Sequence, residues 1–128
     1  MSPPIAAPPV LEVYYSSTCA PCRVELPAVA EFAKQNGARV QIVIVSDEAR
    51  ARNEIRTLSP ALEAVAVARV TASPGAVLRA AGDENGILPY ARSLTPSGAI
   101  CARWLGRLSL AKAGDLVAAC VRRITSPR

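Results

Sequence analysis

Apolar and polar positions fall into blocks along this chain, and each block has a period. Leu11-Glu12-Val13-Tyr14-Tyr15 follows a proline-rich start and reads as a first strand over residues 10–15. Tyr14 and Tyr15 are adjacent on it, so one of the two should face the core. From about Ala20 to Asn36, Leu26, Val29, Ala30 and Ala33 recur at helical spacing, and Gly37 supplies a stop. Ser17 or Thr18 is the expected N-cap. Pro21 falls in the first turn, where a missing N–H costs little, while Pro27 lies deeper and should kink the helix. Residues 40–45, Val-Gln-Ile-Val-Ile-Val, are almost all apolar and β-branched. That is a central strand covered on both faces, hence parallel to its neighbour, and the unit is a right-handed βαβ.

The second half is more broken. Asp47 to Leu58 reads as a helix with one polar side, and Val65 to Val70 fits either a short strand or a buried helical turn. Ser73-Pro74 opens a short helix through Ala81, and residues 82–86 are loop. Residues 88–94 and 99–105, joined by Thr95-Pro96-Ser97-Gly98, form a hairpin. Ser109 then caps a last helix whose apolar face is Leu110, Ala113, Leu116, Val117, Cys120, Val121 and Ile124. Residues 1–9 read as a Pro-rich tether and 10–128 as one domain, as the length of 128 residues suggests. Such a start is what a removed leader or anchor would leave.

Composition narrows the chemistry. The net charge of +5 comes from scattered arginines with no interleaved aromatics, so no nucleic-acid groove is expected. There is no histidine, which excludes His-ligated zinc, Ser-His triads and Cys-His pairs. Four cysteines are too few for a disulfide scaffold in a chain of this size. No apolar run reaches the ~18 residues of a membrane span.

Cys19-Ala20-Pro21-Cys22 sits at the joint between the first strand and the first helix. Two cysteines three apart in a helical turn can reach each other, and the helix N-terminus favours a Cys19 thiolate. A strand, a CxxC and a helix in this order are the sequence form of a thioredoxin-like redox site. Cys19 is the expected nucleophile and Cys22 the resolving thiol. Glu25 shares a helix face with Cys22 and reads either as its proton carrier or as an acid near the helix start that complements the dipole. A metal site is not expected, because Cys101 and Cys120 do not repeat the CxxC spacing.

The run Cys19-Ala20-Pro21-Cys22-Arg23-Val24-Glu25-Leu26-Pro27 resembles the CxPCxxExP of TlpA/ResA-type thiol-disulfide oxidoreductases in the thioredoxin superfamily. The hairpin with Thr95-Pro96-Ser97-Gly98 and Trp104-Leu105-Gly106 is similar to that family's later region. The resemblance implies an α/β thioredoxin-like fold, a central mixed sheet flanked by helices. It implies a periplasmic or otherwise extracytoplasmic reductase, membrane-tethered in its full-length form, acting on protein disulfides. Electrons would come from another thiol protein, with a membrane relay as one candidate, and no metal or organic cofactor is needed. A monomer is expected. The resemblance favours the proton role for Glu25 and implies that Pro89 is cis and faces the CxxC. Leu88 would then offer its backbone to an incoming extended peptide, beside Ala20 and Pro21.

Three departures narrow the match. Thr18 stands where the family usually has Trp, Val13 stands where cytosolic thioredoxins bury an Asp, and no His lies between the cysteines as in CPHC oxidases. Cys101 and Cys120 are expected to be free buried thiols, the alternative being a bridge, which needs α-carbons within ~7 Å. Trp104 reads as a packing residue. The rival function is a binding module that uses the CxxC for Cu(I) or as a redox-gated docking site. Soft thiolates suit Cu(I), but no His is present and the only Met is Met1.

Overall fold

The computed structural model describes residues 7–35, 39–70 and 73–125. Five strands form one mixed sheet in the order β3-β2-β1-β4-β5. They are β1 (Val10–Ser16), β2 (Arg39–Ser46), β3 (Ala66–Ala68), β4 (Tyr90–Leu94) and β5 (Ile100–Leu105). The first three run parallel, and β4 and β5 are antiparallel to what they pair with. The helices are α1 (Ala20–Gln35), α2 (Glu48–Leu58), α3 (Pro74–Ala80) and α4 (Leu110–Thr125). This is the thioredoxin-like α/β fold, a central mixed sheet flanked by helices. The tether at residues 1–6 and the Gly37 stop lie outside the described residues.

Strand alternation sends neighbouring side chains to opposite faces, and both faces are covered. One face packs α1, α2 and α4: Leu11, Val13, Tyr15, Ile42 and Ile44 meet Leu26, Val29, Phe32, Ile55, Ala113 and Leu116. The other face packs α3, through Tyr14, Val43, Val45 and Tyr90 against Leu78 and Ala81. Tyr14 and Tyr15 are therefore both fully buried, one on each side. The ambiguous stretch resolves into a 3-10 turn at Pro60–Val65 followed by β3, because backbone pairing to Ile42, Val43 and Ile44 overrides the weak local pattern. Ser109 caps α4 by accepting the Lys112 N–H at 3.0 Å. Leu110 and Val121, expected on the buried face of α4, are 38% and 47% exposed. That helix lies over the end of the sheet, so its outer flanks stay in water. The side chain of Ile124 lies outside the described residues.

One expectation is corrected here. Cys101 and Cys120 are not free thiols but form a disulfide, with α-carbons 5.1 Å apart. The bridge ties α4 to the edge strand β5, a proximity that only the tertiary fold creates. Beside it Arg123 donates to the Ile100 carbonyl at 2.6 Å, joining the same two elements.

The α3 face also carries an ionic network. Glu12, 3% exposed, accepts from Arg92 at 2.7 Å and Tyr14 at 2.8 Å, with Arg69 at 3.4 Å. Burial alone would push its carboxyl up. The bonds from Arg92 and Tyr14, with the charges of Arg92 and Arg69, reverse this and leave it below the ordinary value.

Two outcomes follow. Replacing both Cys101 and Cys120 by Ser should lower stability by about 3 kcal/mol, the loop-closure value for a bridge of this span, read from urea midpoints. A non-reduced peptide map should link the two cysteines in the wild type. Arg92→Met strands a buried carboxylate and should cost about 3 kcal/mol, a loss that shrinks as pH falls and Glu12 protonates. An equal loss at every pH would show that Arg92 acts by packing alone.

Candidate active site

The turn after β1 builds the redox pair. The Ser16 carbonyl accepts the Cys19 N–H at 3.1 Å, which closes the turn and makes Cys19 the residue before α1. Its sulfur then takes the acceptor place of an N-cap: the Cys22 N–H points at Cys19 Sγ at 3.2 Å. The expected cap by Ser17 or Thr18 is not formed. Thr18 Oγ1 instead pairs with Ser16 Oγ at 2.9 Å, and the buried Ser17 hydroxyl has no hydrogen-bond partner among the described residues. Cys19 and Cys22 are joined as a disulfide, α-carbons 5.3 Å apart. When the pair is reduced, the same N–H and the helix N-terminus face a Cys19 thiolate and stabilise it.

The two sulfurs differ in access. Cys19 is half-buried and Cys22 fully buried. Cys19 opens onto a groove of about 530 Å³ that is also lined by Ala20, Pro21 and Leu88. Four of the residues nominated from sequence are thus brought together. Pro89 does not line the groove but follows Leu88 through a cis bond, and its carbonyl accepts the Gly106 N–H at 3.0 Å. Among the described residues, no hydrogen bond uses the backbone of Leu88. A cavity of about 560 Å³ near the starts of β1 and β2 is larger, but it holds none of the four cysteines.

Glu25 lies away from the groove, one helical turn after Cys22 on the buried side of α1. It is 2% exposed. Its Oε2 accepts the Leu108 N–H at 2.7 Å. Burial pushes its carboxyl up to about 7, against the Leu108 bond and the charge of Arg107, which pull it down. Val13, at the position of the missing strand Asp, is 1% exposed and packs in the same cluster as Cys22. Glu12 beside it faces the other side of the sheet and does not replace that Asp.

Sequence reasoning missed two parts of the site. One is the hydroxyl pair of Ser16 and Ser46, 2.6 Å apart at the rim of the groove. Its signal was that two paired strands both end in Ser. The other is the loop from Trp104 to Leu108, whose one visible mark was Gly106 after the last strand. Gly106 has φ of +129°, a conformation that favours glycine. Among the described residues, no group of three or more His, Cys, Asp or Glu side chains could hold a metal ion. No described helix is long and apolar enough to cross a membrane.

No family model matches the chain, and no curated protein does. Solved structures do. A thioredoxin-related protein from Neisseria meningitidis serogroup B is 20% identical, with TM-score 0.71 over 91% of this chain and 87% of its own. A secreted thiol-disulfide isomerase from Corynebacterium glutamicum is 14% identical, with TM-score 0.69 over 91% and 72%. A thiol:disulfide interchange protein of the thioredoxin family from Chlorobium tepidum is 19% identical, with TM-score 0.64 over 91% and 81%. At these identities the likeness is one of fold: the chain has the thioredoxin-like architecture of thiol-disulfide proteins.

Proposed function

We propose that this chain is a protein thiol-disulfide oxidoreductase that reduces disulfides in extracytoplasmic partners. The observation that carries this is the pairing of an accessible sulfur at a groove, Cys19, with a buried one, Cys22, beside a buried carboxyl, Glu25. The Cys19 thiolate attacks a substrate disulfide, forms a mixed disulfide and expels one substrate sulfur as thiolate. Cys22 passes its proton to Glu25 and attacks Cys19 Sγ, which releases the second substrate sulfur. Two electrons have moved to the substrate, and Cys19–Cys22 is left oxidised. A thiol-protein donor must restore the pair. Leu88, with its free backbone groups, is the edge on which an extended peptide pairs, next to Ala20 and Pro21, and Pro89 holds that edge in place.

The direction of electron flow follows from what stabilises the reduced form. Neither Ala20 nor Pro21 offers a charge to a Cys19 thiolate, and an ionised Glu25 disfavours a thiolate at Cys22. Both leave the disulfide favoured, which is a reducing bias. The potential should therefore lie nearer the roughly −270 mV of a reductant than the roughly −120 mV of a strong oxidant. Two disulfides in one small chain suit an oxidising compartment, and the Corynebacterium neighbour is a secreted protein. Residues 1–9 then serve as a tether ahead of a domain spanning 10–128.

Cys22→Ser should accumulate mixed disulfides with proteins of the compartment, seen as reductant-sensitive bands on a gel, and adding Cys19→Ser should abolish them. If no adduct depends on Cys19, the reductase function is lost.

Glu25 gives a pH dependence of definite sign. Between the ordinary carboxylate value of 4.5 and about 7, the folded chain holds a proton that the unfolded chain has released. Stability from this source is full below the first value and is lost as pH rises through the second. Glu25→Gln keeps an acceptor for Leu108 and removes the charge. Relative to the wild type it should gain roughly 3 kcal/mol between pH 4 and pH 9, read from urea midpoints. The same variant should slow disulfide reduction above neutral pH, where the wild type has a carboxylate to receive the Cys22 proton. A stability difference independent of pH would rule out this titration.

A further inference from the structure

The loop from β5 to α4 makes three directed contacts within five residues. The Gly106 N–H donates to the Pro89 carbonyl at 3.0 Å, the Trp104 indole N–H to the Arg107 carbonyl at 3.2 Å, and the Leu108 N–H to Glu25 at 2.7 Å. The Trp104 ring is in turn covered by the Lys112 ammonium of α4, 4.2 Å from its centroid. One short segment therefore grips the strand entry beside Leu88 at one end and the buried carboxyl beside Cys22 at the other.

We propose that the segment Trp104–Leu108 is the positioning element of Glu25: Trp104 pins the loop, the Leu108 N–H and the Arg107 charge hold the carboxylate, and Gly106 joins this hold to the peptide-pairing edge at Pro89. This rests on the proton role given to Glu25 above. The physical case is one of supply. A carboxylate this deeply buried needs donors, and the one hydrogen bond it receives comes from this loop. The surrounding elements offer no competitor. Arg23 on α1 is spent on the Ser17 carbonyl. On α2, Glu54 is bound to Tyr15 of β1, and on α4 Lys112 lies over Trp104. The cysteines titrate only when reduced. Arg107 is the one cation whose charge acts on Glu25. Its side chain is exposed, so it shapes the site through field and backbone rather than by filling space.

The test uses the full chain and two readouts. The first is the Glu25 carboxyl titration in the oxidised protein, followed by carbon-13 NMR. The second is the pH profile for reduction of oxidised glutathione by the dithiol form. Trp104→Phe deletes the indole N–H and keeps a ring under Lys112, and Arg107→Gln deletes the charge at an exposed position. Each should move both midpoints to higher pH by roughly half a unit or more, and neither should shift the profile further in a Glu25→Gln background. Unmoved midpoints in folded Trp104→Phe and Arg107→Gln, with Glu25→Gln still altering the profile, would overturn the loop's role and leave the proton role standing. A profile indifferent to Glu25→Gln would remove the proton role itself. If Trp104→Phe does not fold, Arg107→Gln alone decides.

Discussion

The rotation of helix α1 about its own axis is the constraint on which the active end depends. Leu26, Val29 and Phe32 are buried against the sheet, and a stripe of that kind seats a helix in one orientation. Once it is seated, Cys22 and Glu25 are carried inward while Cys19 is left at the rim, where the groove begins. Burying the three apolar side chains is worth on the order of 6 kcal/mol. That exceeds the roughly 3 kcal/mol at stake in keeping an ionised Glu25 out of water. The packing therefore holds the carboxyl in place even where it is unfavourable for the carboxyl itself.

The sheet buries two glutamates, one on each side, and their different fates come from their partners. Glu12 and Glu25 are 3% and 2% exposed, so burial pushes both upward about equally. Glu12 receives an arginine, a tyrosine and a second arginine, and stays ionised. Glu25 receives one backbone N–H and a more remote charge, and changes protonation near neutrality. Only the second lies beside a sulfur. Because Val13 is apolar, that side of the sheet takes its acid from the helix, one turn below Cys22, rather than from the strand. The starved carboxyl is the one able to exchange a proton under working conditions, and the saturated one is a structural part.

Much of this was legible from local pattern. The β-branched run of β2, the amphipathic stripe of α1, the Ser caps of α3 and α4 and the hairpin turn each reflect forces acting over a few residues. The same holds for the CxxC at a strand–helix joint. What was not legible depends on distance across the fold. The Cys101–Cys120 bridge exists because α4 returns along β5, and no spacing rule contains that. The hold of Leu108 on Glu25 joins residues 83 apart in sequence. The missing cap at Thr18 is a subtler case: the Ser16 carbonyl closes the turn one residue later than the composition suggests, so a sulfur takes the place of a hydroxyl.

The two disulfides show how position sets the character of one bond type. Cys19 stands at the N-terminal end of α1, with an N–H aimed at its sulfur and open space beside it. There a departing thiolate is stabilised and an attacking one has room. Cys120 lies in the last turns of α4, fully buried, where the helix end carries partial negative charge. A thiolate released there meets repulsion and no water, so exchange at that bond is slow while exchange at the first is easy. The chain can thus run disulfide exchange at one end of α1 while a second disulfide holds α4 to the sheet, with no need for the two pairs to be separated by anything more than helix polarity and burial.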